Sequence, residues 1–286
     1  MQRRPLDASW KAWLQQNIER GCDPEELFYI LIQNDFSLPS VREAMGDHDP
    51  TRVSAISKTI AKCYRTDFKS IAETRLTDPN KCPQARRYPS KKVQLYTFDN
   101  FMSSQECDAI SDLICQSLRP STIITASPES DKYFRTSSTC DLGTLESDLI
   151  DALDQKISRT VGIRLSYSEA AQGQFYAMGQ EFKPHTDYFE PGDEIYAKQC
   201  AVKGNRTWTF MVYLSDVAKG GGTHFIALDH VFQPKKGHAL IWNNLDANGS
   251  PNHNTLHAGL RVEEGHKIIV TKWFREQGRG PMFYSD

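Results

Sequence analysis

The chain has 286 residues, a formal net charge of -2, 39% hydrophobic and 10% aromatic side chains, which is enough apolar material for a core and a length that fits one large domain or a medium domain with an appendage. The near-neutral balance excludes a global electrostatic pull toward nucleic acid or anionic lipid, and no apolar run reaches the roughly 20 residues needed to cross a bilayer. The polar, basic start, Met1 to Leu14, and an odd set of cysteines without a CxxC pair (Cys22, Cys63, Cys82, Cys107, Cys115, Cys140, Cys200) point to a globular cytoplasmic protein with reduced thiols and no nucleic-acid or membrane partner.

The first segment reads as short helices. Ser9 is expected to cap a helix carrying Trp10, Trp13, Leu14 and Ile18 at helical spacing, with Gly21 as its stop. Asp23-Pro24-Glu25-Glu26 restarts a helix whose buried face is Leu27, Phe28, Ile30, Leu31 and Ile32. A third helix from about Pro39 to Met45, ended by Gly46, and a fourth from about Pro50 to Tyr64 complete a helical unit over 1–65. That unit is either a packing appendage or a module that docks a protein. The stretch 66–90, polar from Ala72 onward and holding Pro79, Pro83, Pro89 and the pair Arg86-Arg87, has the composition of a linker.

From residue 91 to 286 the rhythm is that of strands. Val93 to Phe98 alternates, helices follow across Ser104 to Leu118 and Leu145 to Thr160, and seven short strands are expected at Gln172–Tyr176, Thr207–Leu214, His224–Phe225, Val231–Gln233, His238–Trp242, Asn254–Ala258 and Lys267–Phe274. Many short strands after two helices predict a mainly β fold with flanking helices, a double-stranded β-helix or jelly roll.

In His185-Thr186-Asp187, the single intervening residue lets an extended chain aim an imidazole and a carboxylate at one point. A third donor must come from another strand, and His257 lies on a later one, roughly opposite in such a barrel. Two histidines and a carboxylate on one face of an octahedron leave positions for a co-substrate and O2, the arrangement of non-haem Fe(II) oxygenases. Spacing alone leaves this open, because His48, His224, His230, His238, His253 and His266 are also present. Lys267, on the strand expected next after His257, favours the oxygenase reading: an ammonium facing a barrel interior is costly unless it meets an anion, and the distal carboxylate of 2-oxoglutarate is one.

From about Tyr96 to Glu276 the sequence resembles the prolyl 4-hydroxylases of the 2-oxoglutarate/Fe(II) dioxygenase superfamily. The resemblance rests on ordered motifs: Asn100 to Asp108 as an opening helix, Arg135-Thr136-Ser137, Tyr176 to Asp187, Arg206 to Val217, Gly220 to Phe225, Pro234 to Trp242, and Leu256-His257-Ala258-Gly259 through Lys267-Ile268 to Lys272-Trp273-Phe274. It implies that His185, Asp187 and His257 hold Fe(II) and that Lys267 pairs with the tail of 2-oxoglutarate. Tyr176, Thr223 and Trp273 would line the co-substrate pocket, and Arg206 would face the substrate. The implied reaction consumes O2 and 2-oxoglutarate and hydroxylates an unactivated C–H bond, with succinate and CO2 as co-products and ascorbate as a rescuer of oxidised iron.

The sequence departs from the family at Phe182, where a Tyr is common, at Gly222, where an acid is common, and across Glu190 to Asn205, which would border the substrate groove. These positions bear on the substrate and leave the metal set intact. The leading expectation is a prolyl residue in a peptide or protein. The alternatives are a free amino acid or other small molecule, and a non-catalytic jelly-roll binding module.

Overall fold

The computed structural model describes residues 4–19, 24–34, 36–49, 67–121, 134–145, 147–192 and 194–284. Two compact units emerge, Met1–Arg65 and Thr66–Asp286.

In the first unit, Asp7 rather than Ser9 opens helix α1 (Ala8–Glu19): its carboxylate accepts from the Trp10 amide at 3.0 Å and from the Ser9 hydroxyl at 2.7 Å. A carboxylate at that position satisfies an amide the first helical turn leaves unpaired, and Ser9 acts through Asp7 instead of directly. Helices α2 (Pro24–Gln33) and α3 (Leu38–Met45) follow. Leu14, Leu27, Phe28, Leu31, Phe36, Val41 and Met45 form the unit's own core, with Ile30 only half-buried. Gly46 ends α3 at φ 55. The helix expected over Pro50 to Tyr64, and the Gly21 stop, lie outside the described residues.

The second unit begins earlier than its composition predicts. Residues 67–90, expected as a linker, form helix α4 (Phe68–Ala72), a turn of 3-10 helix and strand β1 (Ala85–Arg87). Ile71, Leu76 and Cys82 are buried in the main core, and the Ile71 carbonyl accepts from the buried Trp208 indole at 2.8 Å. Three apolar anchors spaced among polar residues are enough to fasten the segment, which is why averaged polarity conceals it.

The remaining strands are β2 (Leu95–Phe98), β3 (Arg119–Pro120), β4 (Ser138–Asp141), β5 (Gln172–Tyr176), β6 (Phe182–His185), β7 (Arg206–Tyr213), β8 (Lys219–Gly220), β9 (Thr223–Phe225), β10 (His230–Phe232), β11 (Ala239–Asn243), β12 (His257–Gly259), β13 (Val262–Glu264) and β14 (Lys267–Arg275). An eight-stranded sheet runs β1-β2-β11-β7-β14-β5-β4-β3, and a four-stranded sheet runs β10-β9-β12-β6. All their pairings are antiparallel, which gives the expected double-stranded β-helix. Helices α5 (Ser104–Gln116) and α6 (Asp148–Val161) bury Cys107, Ile110, Ile114, Leu153 and Ile157 against one face of the large sheet. A capping box between Ser103 and Glu106 starts α5, reciprocally satisfying two backbone amides.

Strand alternation sorts β14 into two faces. Ile268, Val270 and Phe274 join the core under the helices, while Lys267, Ile269, Thr271 and Trp273 line a cavity inside the barrel. Lys272 belongs to the helix side, where its ammonium donates to Asp154 Oδ2 at 2.8 Å and to the Glu169 carbonyl at 2.9 Å. Replacing Lys272 with Met strands the mostly buried Asp154 carboxylate; urea unfolding is expected to show a loss of about 2 kcal/mol, below the full cost of breaking a buried pair because Asp154 keeps some contact with solvent.

Candidate active site

Two antiparallel strands bring the histidines together. His257 on β12 is the register partner of His185 on β6, and the rings stand 4.3 Å apart between centroids. His257 is therefore adjacent to His185 in the small sheet, not across the barrel from it. Strand β12 also starts later than expected, at His257, because residues His253–Thr255 form a 3-10 turn. Asp187 lies just beyond the end of β6. One donor atom from each of His185, Asp187 and His257 lies within 4.8 Å of the others.

The orientation of each imidazole is set in the same way. His185 Nδ1 meets the Lys183 carbonyl and His257 Nδ1 meets the Thr255 carbonyl, both at 2.8 Å and both two residues upstream. A carbonyl can only accept, so Nδ1 carries the proton and Nε2 keeps its lone pair for a metal. Burial, followed by the neighbouring His257, pushes His185 down to about 3, so the ring is neutral. Burial works against ionised Asp187, yet His257, His185, Arg206 and the Thr209 hydroxyl outweigh it and hold the carboxyl below its ordinary value. Two imidazoles, each with Nε2 turned away from its carbonyl partner, and a carboxylate suit a ferrous ion.

The large sheet supplies the rest of a cavity of about 450 Å³ including its open mouth, whose lining includes Tyr176, Thr223, Lys267 and Trp273 together with all three donors. Lys267 is 1% exposed. It is not on the strand next after that of His257, since β13 intervenes. Its ammonium donates to the Gly221 carbonyl at 2.9 Å and sits 4.4 Å over the ring of Tyr176, its register partner on β5. No carboxylate reaches it among the described residues, and burial alone pushes it down to about 7. Thr223 accepts the Tyr213 hydroxyl at 2.6 Å, which leaves its own proton for the cavity. Phe182 stacks on His185 with ring centroids 3.5 Å apart, and the Arg135 guanidinium lies over the Phe182 ring at 4.9 Å.

Arg206 does not reach freely into the cavity. It grips Glu169 through Nε at 2.6 Å and Nη2 at 2.7 Å, and its Nη1 donates to the Asp187 carbonyl at 3.3 Å. Its guanidinium packs 4.0 Å over Trp273, and Arg275 shares Glu169 at 2.8 Å. The arrangement ties the backbone of Asp187 to β7 and β14. Sequence reading missed Glu169 and also Thr209, which donates to Asp187 Oδ2 at 2.7 Å. The signal for Thr209 was present in the alternation of β7, where Thr207, Thr209 and Met211 interleave with Trp208, Phe210 and Val212.

Residues 171–275 match the 2OG-Fe(II) oxygenase superfamily. Among curated proteins, the chain is 31% identical to the prolyl 4-hydroxylase subunit alpha-1 of Homo sapiens over 214 residues, which cover 72% of this chain and 40% of that protein. The chain thus spans less than half the length of this relative. Among solved structures, a viral collagen prolyl hydroxylase from Paramecium Bursaria Chlorella virus-1 in its 2OG complex is 28% identical with a TM-score of 0.50, covering 63% of this chain and 95% of that one. A prolyl hydroxylase from Trichoplax adhaerens, solved with a hypoxia inducible factor peptide fragment, shares the fold at 12% identity and a TM-score of 0.50, covering 79% of this chain and 95% of that one. The His-Asp-His cluster in its jelly roll and these likenesses agree: the chain belongs to the 2-oxoglutarate/Fe(II) oxygenase superfamily, on its prolyl 4-hydroxylase-like side. The donor set fits a ferrous ion, and the buried Lys267 fits an anionic co-substrate.

Two outcomes are expected. Exchanging Lys267 for Met removes a buried ammonium that lacks an acid, so thermal unfolding of the ligand-free protein should show no loss of stability, while calorimetry should show 2-oxoglutarate binding weakened by about 100-fold. In the wild type, affinity for the keto acid should fall as pH rises above about 7, because the free protein then gives up the Lys267 proton that a bound carboxylate requires.

Glu169 provides a separate check. Its carboxyl, pressed upward by burial but held down to about 2 by Arg206 and Arg275, contributes stability that is full above its ordinary value of 4.5 and lost only as pH falls toward 2. Glu169→Gln leaves two buried guanidinium groups facing a neutral amide. Denaturant titration is expected to show a loss of about 3 kcal/mol.

Proposed function

We propose that this protein hydroxylates a prolyl residue within a peptide or protein, releasing succinate and CO2 from 2-oxoglutarate. The observation that carries this reading is one cavity holding His185, Asp187 and His257 beside a buried Lys267 that has no acid among the described residues. When bound, the ferrous centre supplies activation of O2 and oxidation of an unactivated C–H bond.

The protein's own tasks follow from position. His185, Asp187 and His257 hold the ion from one side and leave the other side to co-substrates. Lys267 neutralises the distal carboxylate of 2-oxoglutarate, and the Tyr176 and Thr223 hydroxyls donate to its carboxylate oxygens. Trp273, Met211, Ile269 and Trp242 line the same cavity and keep water from the reacting carbon. Arg135, Phe182 and His185 are only partly buried, which supports access from that side for a chain too large to be enclosed. Arg206 would act on a substrate mainly by fixing Asp187 and the ring of Trp273.

Prolyl hydroxylation is favoured over oxidation of a small molecule by the names of the relatives and by this open wall. The helical unit Met1–Arg65, which packs around a core of its own, is assigned a separate role in holding a protein partner. Ascorbate as a reductant for stalled iron and a reducing, cytoplasmic setting complete the reading; Cys82, Cys107, Cys115, Cys140 and Cys200 are all free thiols.

Supplied with Fe(II), 2-oxoglutarate and proline-containing peptides, the enzyme should form succinate in step with one added oxygen on proline by mass spectrometry. Turnover confined to free amino acids would contradict it. His257→Ala should abolish succinate formation while circular dichroism stays unchanged.

A further inference from the structure

Asp187 has two carboxylate oxygens, and the protein treats them differently. Oδ2 accepts the Thr209 hydroxyl at 2.7 Å, whereas Oδ1 has no hydrogen-bond partner among the described residues. Thr209 is fully buried on a rung of β7 flanked by Trp242 of β11 and Trp273 of β14, so no water competes for its hydroxyl. Behind it, the amide of Asn244, also fully buried, donates to Thr209 Oγ1 at 2.9 Å.

An amide nitrogen can only donate, so Thr209 must accept from it and has a single proton to give, which goes to Asp187. The reverse amide orientation would draw that proton toward Asn244 and leave the carboxylate without its donor. In the observed orientation Asn244 Oδ1 is buried with no partner among the described residues, a cost the fold tolerates at this position. The backbone of Asn244 reaches the other ligand segment as well. Its carbonyl accepts from the Asn252 amide at 2.9 Å, and Asn252 accepts from the Thr255 amide at 2.9 Å. Thr255 in turn offers the carbonyl that orients His257.

We propose that Thr209 and Asn244 form a positioning relay for the metal: Asn244 sets the direction of the Thr209 hydroxyl, and Thr209 occupies Asp187 Oδ2 so that Oδ1 alone is presented to the ion. The relay keeps Asp187 a one-oxygen ligand and preserves a coordination position that a two-oxygen carboxylate would fill. Neither residue touches substrate. This inference rests on the metal assignment above.

Anaerobic Co(II) titration of the full chain, followed by its visible absorption, tests it without turnover. Thr209→Val keeps the volume and removes the hydroxyl; Co(II) affinity should fall about 10- to 100-fold, with a changed absorption band as the carboxylate is freed. Thr209→Ser should restore affinity to within about threefold of wild type, and Asn244→Leu should give a loss between the two. Wild-type affinity and spectrum in Thr209→Val would overturn the relay, as would Thr209→Ser binding as weakly as Thr209→Val, since packing would then explain the loss. A wild-type chain that binds no Co(II) would instead remove the metal assignment itself.

Discussion

An ammonium group buried without an acid among the described residues is the constraint around which the larger unit is arranged. Desolvating such a charge costs several kcal/mol even after relaxation, against a total stability of about 5–15 kcal/mol for an ordinary domain. Lys272, five residues along the same strand, shows how the fold treats a buried lysine held for structure: it is paired with Asp154. Lys267 is left with one carbonyl and an aromatic face. The Lys267 ammonium is therefore suited to an anion from outside the chain, and a dicarboxylate anchored by a metal at its other end would supply one.

The sheets turn this specification into geometry through parity and register. Residues of β14 two apart face the cavity, which sets Lys267 beside Tyr176 and Trp273 beside Thr209. The pairing of β12 with β6 makes His257 and His185 direct neighbours, and the same β12 meets Thr223 through Gly259. Slipping either strand by one residue would turn these side chains out of the barrel. Metal donors come from the small sheet and its exit, and the co-substrate anchors come mainly from the large one, so the site exists only when the two sheets face each other.

Much of this was legible in the chain itself. β5 was read at its observed limits, and β7, β11 and β14 were placed within a residue or two, because each is long enough for its alternation to show. Strands of two to four residues, such as β3, β8 and β13, carry too little pattern, and the last of these separates His257 from Lys267. The HxD spacing located two donors, but among eight histidines the identity of the third came from resemblance to a family. The roles of Glu169, Thr209 and Asn244 depend on contacts between residues distant in sequence, and a single polar residue inside a strand does not announce its partner. Arg206 shows the converse: its position was expected, but its guanidinium is committed to Glu169 and the Asp187 backbone.

The most direct test is a crystal structure of the chain with a redox-inert divalent metal and 2-oxoglutarate. The metal is expected on His185, Asp187 and His257, with the far carboxylate of the keto acid in salt-bridge contact with Lys267 Nζ. A metal seated elsewhere, or a bound 2-oxoglutarate whose far carboxylate leaves Lys267 unpaired, would contradict the assignment.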